Sequence, residues 1–238
     1  MLPVAPDQLI NARIARSSLG PRPGFGNPFS NLKAQGVFIE NPWGPVNVTQ
    51  IGKPTGTGTS EMRSPMAPDA SIFGVISPKQ NFALGLGGNA LTPAEADRTF
   101  LEWGRDRAQI VPFHAVCDGF ACATIAILVA TNSPLLPGTS VEWFGFVQSG
   151  VRGRGHAFAV VDRPAASNPA DPTSWGNTCL VVDQWYGLQA GCAPAFALNG
   201  PTGNAAFLAL LTAGGTAVKR VAGFTTGAYP WLKVREVD

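Results

Sequence analysis

Cys117-Asp-Gly-Phe-Ala-Cys-Ala-Thr-Ile-Ala-Ile-Leu-Val-Ala130 has no proline, and no glycine after Gly119. Its apolar residues surround the helical axis instead of forming one stripe, which predicts a helix covered on most sides. The apolar run from Phe120 to Ala130 is too short to cross a bilayer, which takes about 20 residues. Three β-rich runs follow: Val141-Glu-Trp-Phe-Gly-Phe-Val147, His156-Ala-Phe-Ala-Val-Val161 and Cys179-Leu-Val-Val-Asp-Gln-Trp-Tyr186. Turns rich in Gly, Pro or Asn separate them. A buried helix followed by strands predicts an α+β layer fold.

Two more helices flank this region. Thr92-Pro-Ala-Glu95 supplies a capping residue, a proline suited to the first helical position and a capping-box glutamate, so a helix is predicted over Pro93–Arg105. Another is predicted over Asn204–Thr212, closed by Gly214 and Gly215, with a terminal strand at Leu232–Val237. From Met1 to about Ala67, Pro and Gly recur every few residues and argue against long regular elements. Short β-like runs occur at Val37–Glu40, Val46–Ile51 and Ser71–Ile76. The chain thus divides into a Pro/Gly-rich wrapping or accessory segment, 1–90, and a main domain, 91–238, which carries the candidate catalytic residues considered below.

The 238 residues can build a substantial core, and a hydrophobic fraction of 45% excludes a disordered chain. A net charge of +2 without blocks of like charge gives no footprint for nucleic acid or an anionic membrane. No basic region followed by an apolar run marks a cleavable secretory signal at the N-terminus. The four cysteines do not have metal-ligand spacing, and a core of this size needs no disulfide staples. Gly85-Leu-Gly-Gly-Asn-Ala90 fits a dinucleotide fingerprint only superficially, because no βαβ unit surrounds it. No cofactor is implied.

A thiol becomes nucleophilic where a helix N-terminus and a base favour the thiolate, and Cys117 stands at such a start. His156 opens one β-run and Asp183 closes the apolar core of the next. In an antiparallel pair these ends lie side by side, which lets a carboxylate orient the imidazole. His114, the only other histidine, lies three residues before Cys117 and is the alternative base. Gln109 is the candidate oxyanion-hole side chain, with the backbone N–H of Cys117 as a further donor. The insert Pro164–Asn177 is longer than a hairpin connection and is a candidate rim for a substrate cleft.

The helical Cys117, the strand opening Gly155-His-Ala-Phe-Ala-Val-Val161 and the run Val181-Val-Asp-Gln-Trp-Tyr-Gly187 together resemble papain-fold bacterial toxins and effectors, which include protein glutamine deamidases and proteases. The resemblance covers roughly Ala115–Gly187. It implies a papain-like fold, a Cys-bearing helix on an antiparallel sheet, and Cys117, His156 and Asp183 as nucleophile, base and orienting acid. It also implies a secreted or delivered enzyme acting on a protein of a target cell, with an inhibitor or chaperone protein as a further partner. A cysteine protease and a peptidoglycan amidase share the chemistry. The competing class is a non-catalytic interaction module with structural cysteines.

Overall fold

A computed structural model of the chain describes residues 4–20, 93–109, 117–148 and 155–237. In chain order these form α1 (Pro6–Ala15), α2 (Pro93–Arg107), α3 (Cys117–Val129), β1 (Ser140–Gln148), β2 (Gly155–Val161), a short 3-10 turn (Pro172–Ser174), β3 (Leu180–Val182), α4 (Gln184–Ala190), β4 (Ala195–Ala197), α5 (Ala205–Thr212) and β5 (Thr216–Thr225). The strands make one antiparallel sheet in the order β4-β3-β2-β1-β5. Helices with an antiparallel sheet define an α+β architecture.

Residues two apart on a strand share a face. Val141 and Trp143 of β1 and Ala157, Ala159 and Val161 of β2 therefore point to the same side, where they pack with α3. That helix is buried from Phe120 to Ala130 and is covered on its other side by α2. The two helices come close because Gly104 has no side chain: a Cβ there would lie 2.6 Å from the Cys122 carbonyl oxygen. Phe144, Phe146, Phe158 and Val160 point to the opposite face, where Phe207 of α5, Tyr186 and Trp175 fill a second cluster made largely of rings.

Three sequence expectations need correction, and one strand was not anticipated. Residues 6–15 are helical: Pro6 stands in the first turn beside Asp7, Arg13 lies in the last turn, and Ile10 and Ile14, one turn apart, are buried. No glycine falls within this helix, and its one proline, Pro6, stands at the first position, where a proline is tolerated. The run beginning at Cys179 is not one strand, because β3 stops at Val182 and Gln184-Trp-Tyr-Gly is the first turn of α4. Leu232–Val237 lies outside the sheet. Its backbone is bonded instead by Thr131 N–H to the Leu232 oxygen, by Arg13 and Asn132 to the Val234 oxygen, and by its own Val237 N–H to the Arg16 oxygen. The strand beside β1 is β5, whose alternation is broken by a bulge. Trp143 pairs with Ala222 but Phe144 with Arg220, so Val218 faces the ring cluster while Ala222 and Phe224 face α3. The β-like runs at Val37, Val46 and Ser71 lie outside the described residues.

Candidate active site

His156 is the second residue of β2 and pairs with Phe146. On its other side the ladder to β3 ends at Ala159–Val182. Continuing that register by one step sets Asp183 against Phe158, on the face of the sheet that carries His156, so the two are diagonal neighbours. Their side chains meet: His156 Nε2 lies 2.5 Å from Asp183 Oδ2. The residues are 1% and 3% exposed, respectively.

The chain turns at Asp183 from strand into helix, and three contacts fix this residue. Oδ1 accepts the Tyr186 N–H at 2.9 Å as the N-cap of α4, Oδ2 faces the imidazole, and its backbone N–H donates to the Pro194 oxygen at 2.8 Å. An N-cap interaction and a carboxylate–imidazole contact are thus made by the two oxygens of one side chain.

Rings surround the imidazole. Trp185 meets it edge-on, with centroids 5.8 Å apart and planes at 88°; Phe146 and Phe158 lie at 5.9 and 6.2 Å. Strand alternation groups His156 with the ring cluster, whereas Trp185 belongs to the α3 cluster. The two layers meet here because β3 has ended and the first turn of α4 fills the space beside β2. Trp185 in turn packs against Phe120, at 6.3 Å between centroids. Phe120 stands one turn after Cys117, on the same side of α3.

Cys117 is the first residue of α3, half-buried and packed against the α3 cluster. None of the four cysteines is in a disulfide. Cys122 is fully buried, with Sγ 3.5 Å from the Phe100 oxygen, and acts as a small core residue. Burial pushes the Cys179 thiol up to about 12. Cys192 is exposed, yet partial desolvation and then the Asp183 charge raise its thiol above the ordinary value.

Gln109 lies at the end of α2, where its Nε2 donates to the Arg105 oxygen at 3.1 Å and its Oε1 accepts the Arg235 N–H at 3.3 Å. It lines a groove of about 670 Å³ with Arg105, Trp231, Lys233 and Arg235. Its carboxamide is engaged by α2 and the C-terminal segment. His114 lies outside the described residues. The insert after β2 is anchored to the ring cluster through Trp175, fully buried and 4.6 Å from Phe144, whose Nε1 donates to the Asn168 oxygen at 3.0 Å.

Sequence reading missed the part played by Trp185. The signal was present, since Asp183 before Gln-Trp-Tyr-Gly can be read as a helix N-cap. A helix starting there turns Trp185 toward the imidazole. No family model, curated protein or solved structure matches the chain.

Proposed function

We propose that the chain is a thiol hydrolase of papain-like design, with Cys117 as nucleophile, His156 as base and Asp183 as the acid that orients the base. The observation that carries this reading is the buried 2.5 Å contact between His156 Nε2 and Asp183 Oδ2. A carboxylate at Nε2 holds the ring and stabilises the imidazolium, so Nδ1 is the nitrogen that exchanges a proton with the thiol. The Cys117 thiolate adds to a carboxamide or peptide carbonyl, and the Cys117 N–H supports the oxyanion. His156 then gives its proton to the departing ammonia or amine, leaving a thioester. Water, deprotonated by His156, attacks the thioester and releases a carboxylate and the thiol.

The resemblance favours glutamine deamidation of a target-cell protein by a secreted effector. Ammonia release without chain cleavage would separate this from a protease, and digestion of purified wall would reveal an amidase. The pH dependence of Cys117 alkylation by iodoacetamide tests the thiol reading. Expected is fast labelling well below the ordinary thiol pKa of about 8.5, lost in His156→Ala and weakened in Asp183→Ala. Slow labelling, indifferent to both substitutions, would sink it.

One observation favours a second reading. The pair is almost wholly enclosed, and His156 shares its face with Phe144, Phe146 and Phe158. This suits a non-catalytic module in which His156 and Asp183 tie β2 to α4, and the slow-labelling outcome is the one it expects.

A further inference from the structure

We propose that Gln184 is a positioning residue for the His156–Asp183 pair, and that the N-terminal segment 4–20 holds it in place. Gln184 follows Asp183 directly and is 4% exposed. Its Nε2 donates to the Leu19 oxygen at 2.5 Å, and Leu19 is fully buried. The same segment grips the other side of Asp183. Asn11 Oδ1 accepts the Ala195 N–H at 2.8 Å and Asn11 Nδ2 donates to the Ala195 oxygen at 3.1 Å, so its carboxamide acts as one more rung on the outer edge of β4. Ala195 pairs with Val182, and the preceding Pro194 oxygen accepts the Asp183 N–H. The aspartate is therefore bracketed by two carboxamides, one belonging to the N-terminal helix and one tied to the residues just after it.

Burial of a carboxamide costs free energy unless its atoms are bonded, and Gln184 Oε1 has no hydrogen-bond partner among the described residues. A residue that only filled space would avoid that cost. The other contacts of the segment make it a fixed part of the body: Ser18 Oγ donates to the Ala108 oxygen, and Arg13 Nη2 to the Val234 oxygen. The segment thus transmits the position of α2 and the C-terminal tail to the residue beside Asp183. The consequence for thiol chemistry rests on the function proposed above, whereas the positioning of the imidazole does not.

Gln184→Met and Asn11→Ala in the full chain test the inference. Gln184→Met exchanges one unpartnered buried oxygen, its own, for another, that of Leu19, and keeps the side-chain length, so it disturbs packing little. Two readouts follow in each variant, with near-ultraviolet circular dichroism to verify native packing. One is the downfield imidazole N–H resonance of the His156–Asp183 hydrogen bond; the other is the pH profile of Cys117 alkylation. Expected in both variants is a shifted or broadened resonance and a loss of about 10- to 100-fold in Cys117 labelling at mildly acid pH, as for a small displacement of a catalytic group. Natively packed variants with the parent's resonance and profile would overturn the inference. Should Gln184→Met not fold, an unchanged resonance in Asn11→Ala overturns it alone. A resonance lost in the variants, beside slow Cys117 labelling in the parent that does not depend on His156, would uphold the positioning and reject the thiol hydrolase.

Discussion

On one face of the sheet the core is a helix wall, whose Ala121, Ala123 and Ala126 allow backbones to approach; on the other it is a set of rings, Phe144, Phe146, Phe158, Trp175 and Phe207, held by a short helix and an irregular insert. Small residues make the first layer by closeness of backbone, and aromatic volume makes the second where little regular structure exists to cover the sheet. His156 stands where the two meet, between Phe158 of the ring layer and Trp185 of the helix layer. The imidazole is therefore fixed by packing from both sides, while the thiol end of α3 is only half-buried.

The largest effect that would break this comparison is removal of a ring. Trp175→Ala should cost about 3–5 kcal/mol by urea denaturation, because it empties a fully buried site packed against Phe144. A loss below about 1 kcal/mol would mean that the insert does not hold the second layer and is free to shape a cleft. On the helix side, Gly104→Ala should cost about 1–3 kcal/mol, since the new methyl would meet the Cys122 oxygen at 2.6 Å and the Ala126 Cβ at 2.9 Å. An unaffected unfolding midpoint would show that α2 and α3 are not pressed together as described.

The ring layer also leaves a mark on alkaline stability. Burial raises the Cys179 thiol from 9.0 to about 12, and its folded value lies above the unfolded one. Its contribution is therefore intact below about pH 9 and is lost as the pH rises from there toward 12, because the unfolded chain releases the proton first. Tyr229, raised from 10.0 to about 12 by burial and then by Asp97, adds a slope of the same sign within that window. Cys179→Ala should flatten the fall in unfolding free energy, leaving the parts due to Tyr229, Tyr186 and Cys192, which burial also raises. An unchanged slope would place the cause elsewhere than at Cys179.

Much of this architecture was legible because its signals are local. The all-round apolar run after Cys117 and the alternation in Val141–Val147 and His156–Val161 needed no partner to be recognised. The bulge opposite Trp143 and Phe144 hid β5, because it moves Ala222 and Phe224 to the face opposite Val218 and breaks the period a strand would show. Leu232–Val237 has strand-like alternation, with Leu232 and Val234 buried, but finds its backbone partners in Arg13, Asn132, Thr131 and Arg16. Of the candidate site, the nearness of His156 and Asp183 followed from antiparallel pairing. The engagement of Gln109 by Arg235 and the grip of Leu19 on Gln184 join residues far apart in sequence, and no local pattern announces such contacts.

The smallest effect separates the two tasks of Asp183. Asp183→Ala removes both the α4 cap and the imidazole partner, whereas Asp183→Asn keeps an oxygen for the Tyr186 N–H and loses only the negative charge that faces His156. The difference in unfolding free energy between the two variants should be about 1 kcal/mol, the usual worth of an N-cap. Equal stabilities would mean that α4 does not depend on its cap, and that the aspartate stands at the layer junction for the imidazole alone. If the difference appears while both variants lose Cys117 reactivity to the same extent, the cap serves the fold and the charge serves the base. One side chain would then join the chemistry of the site to the turn that ends the sheet.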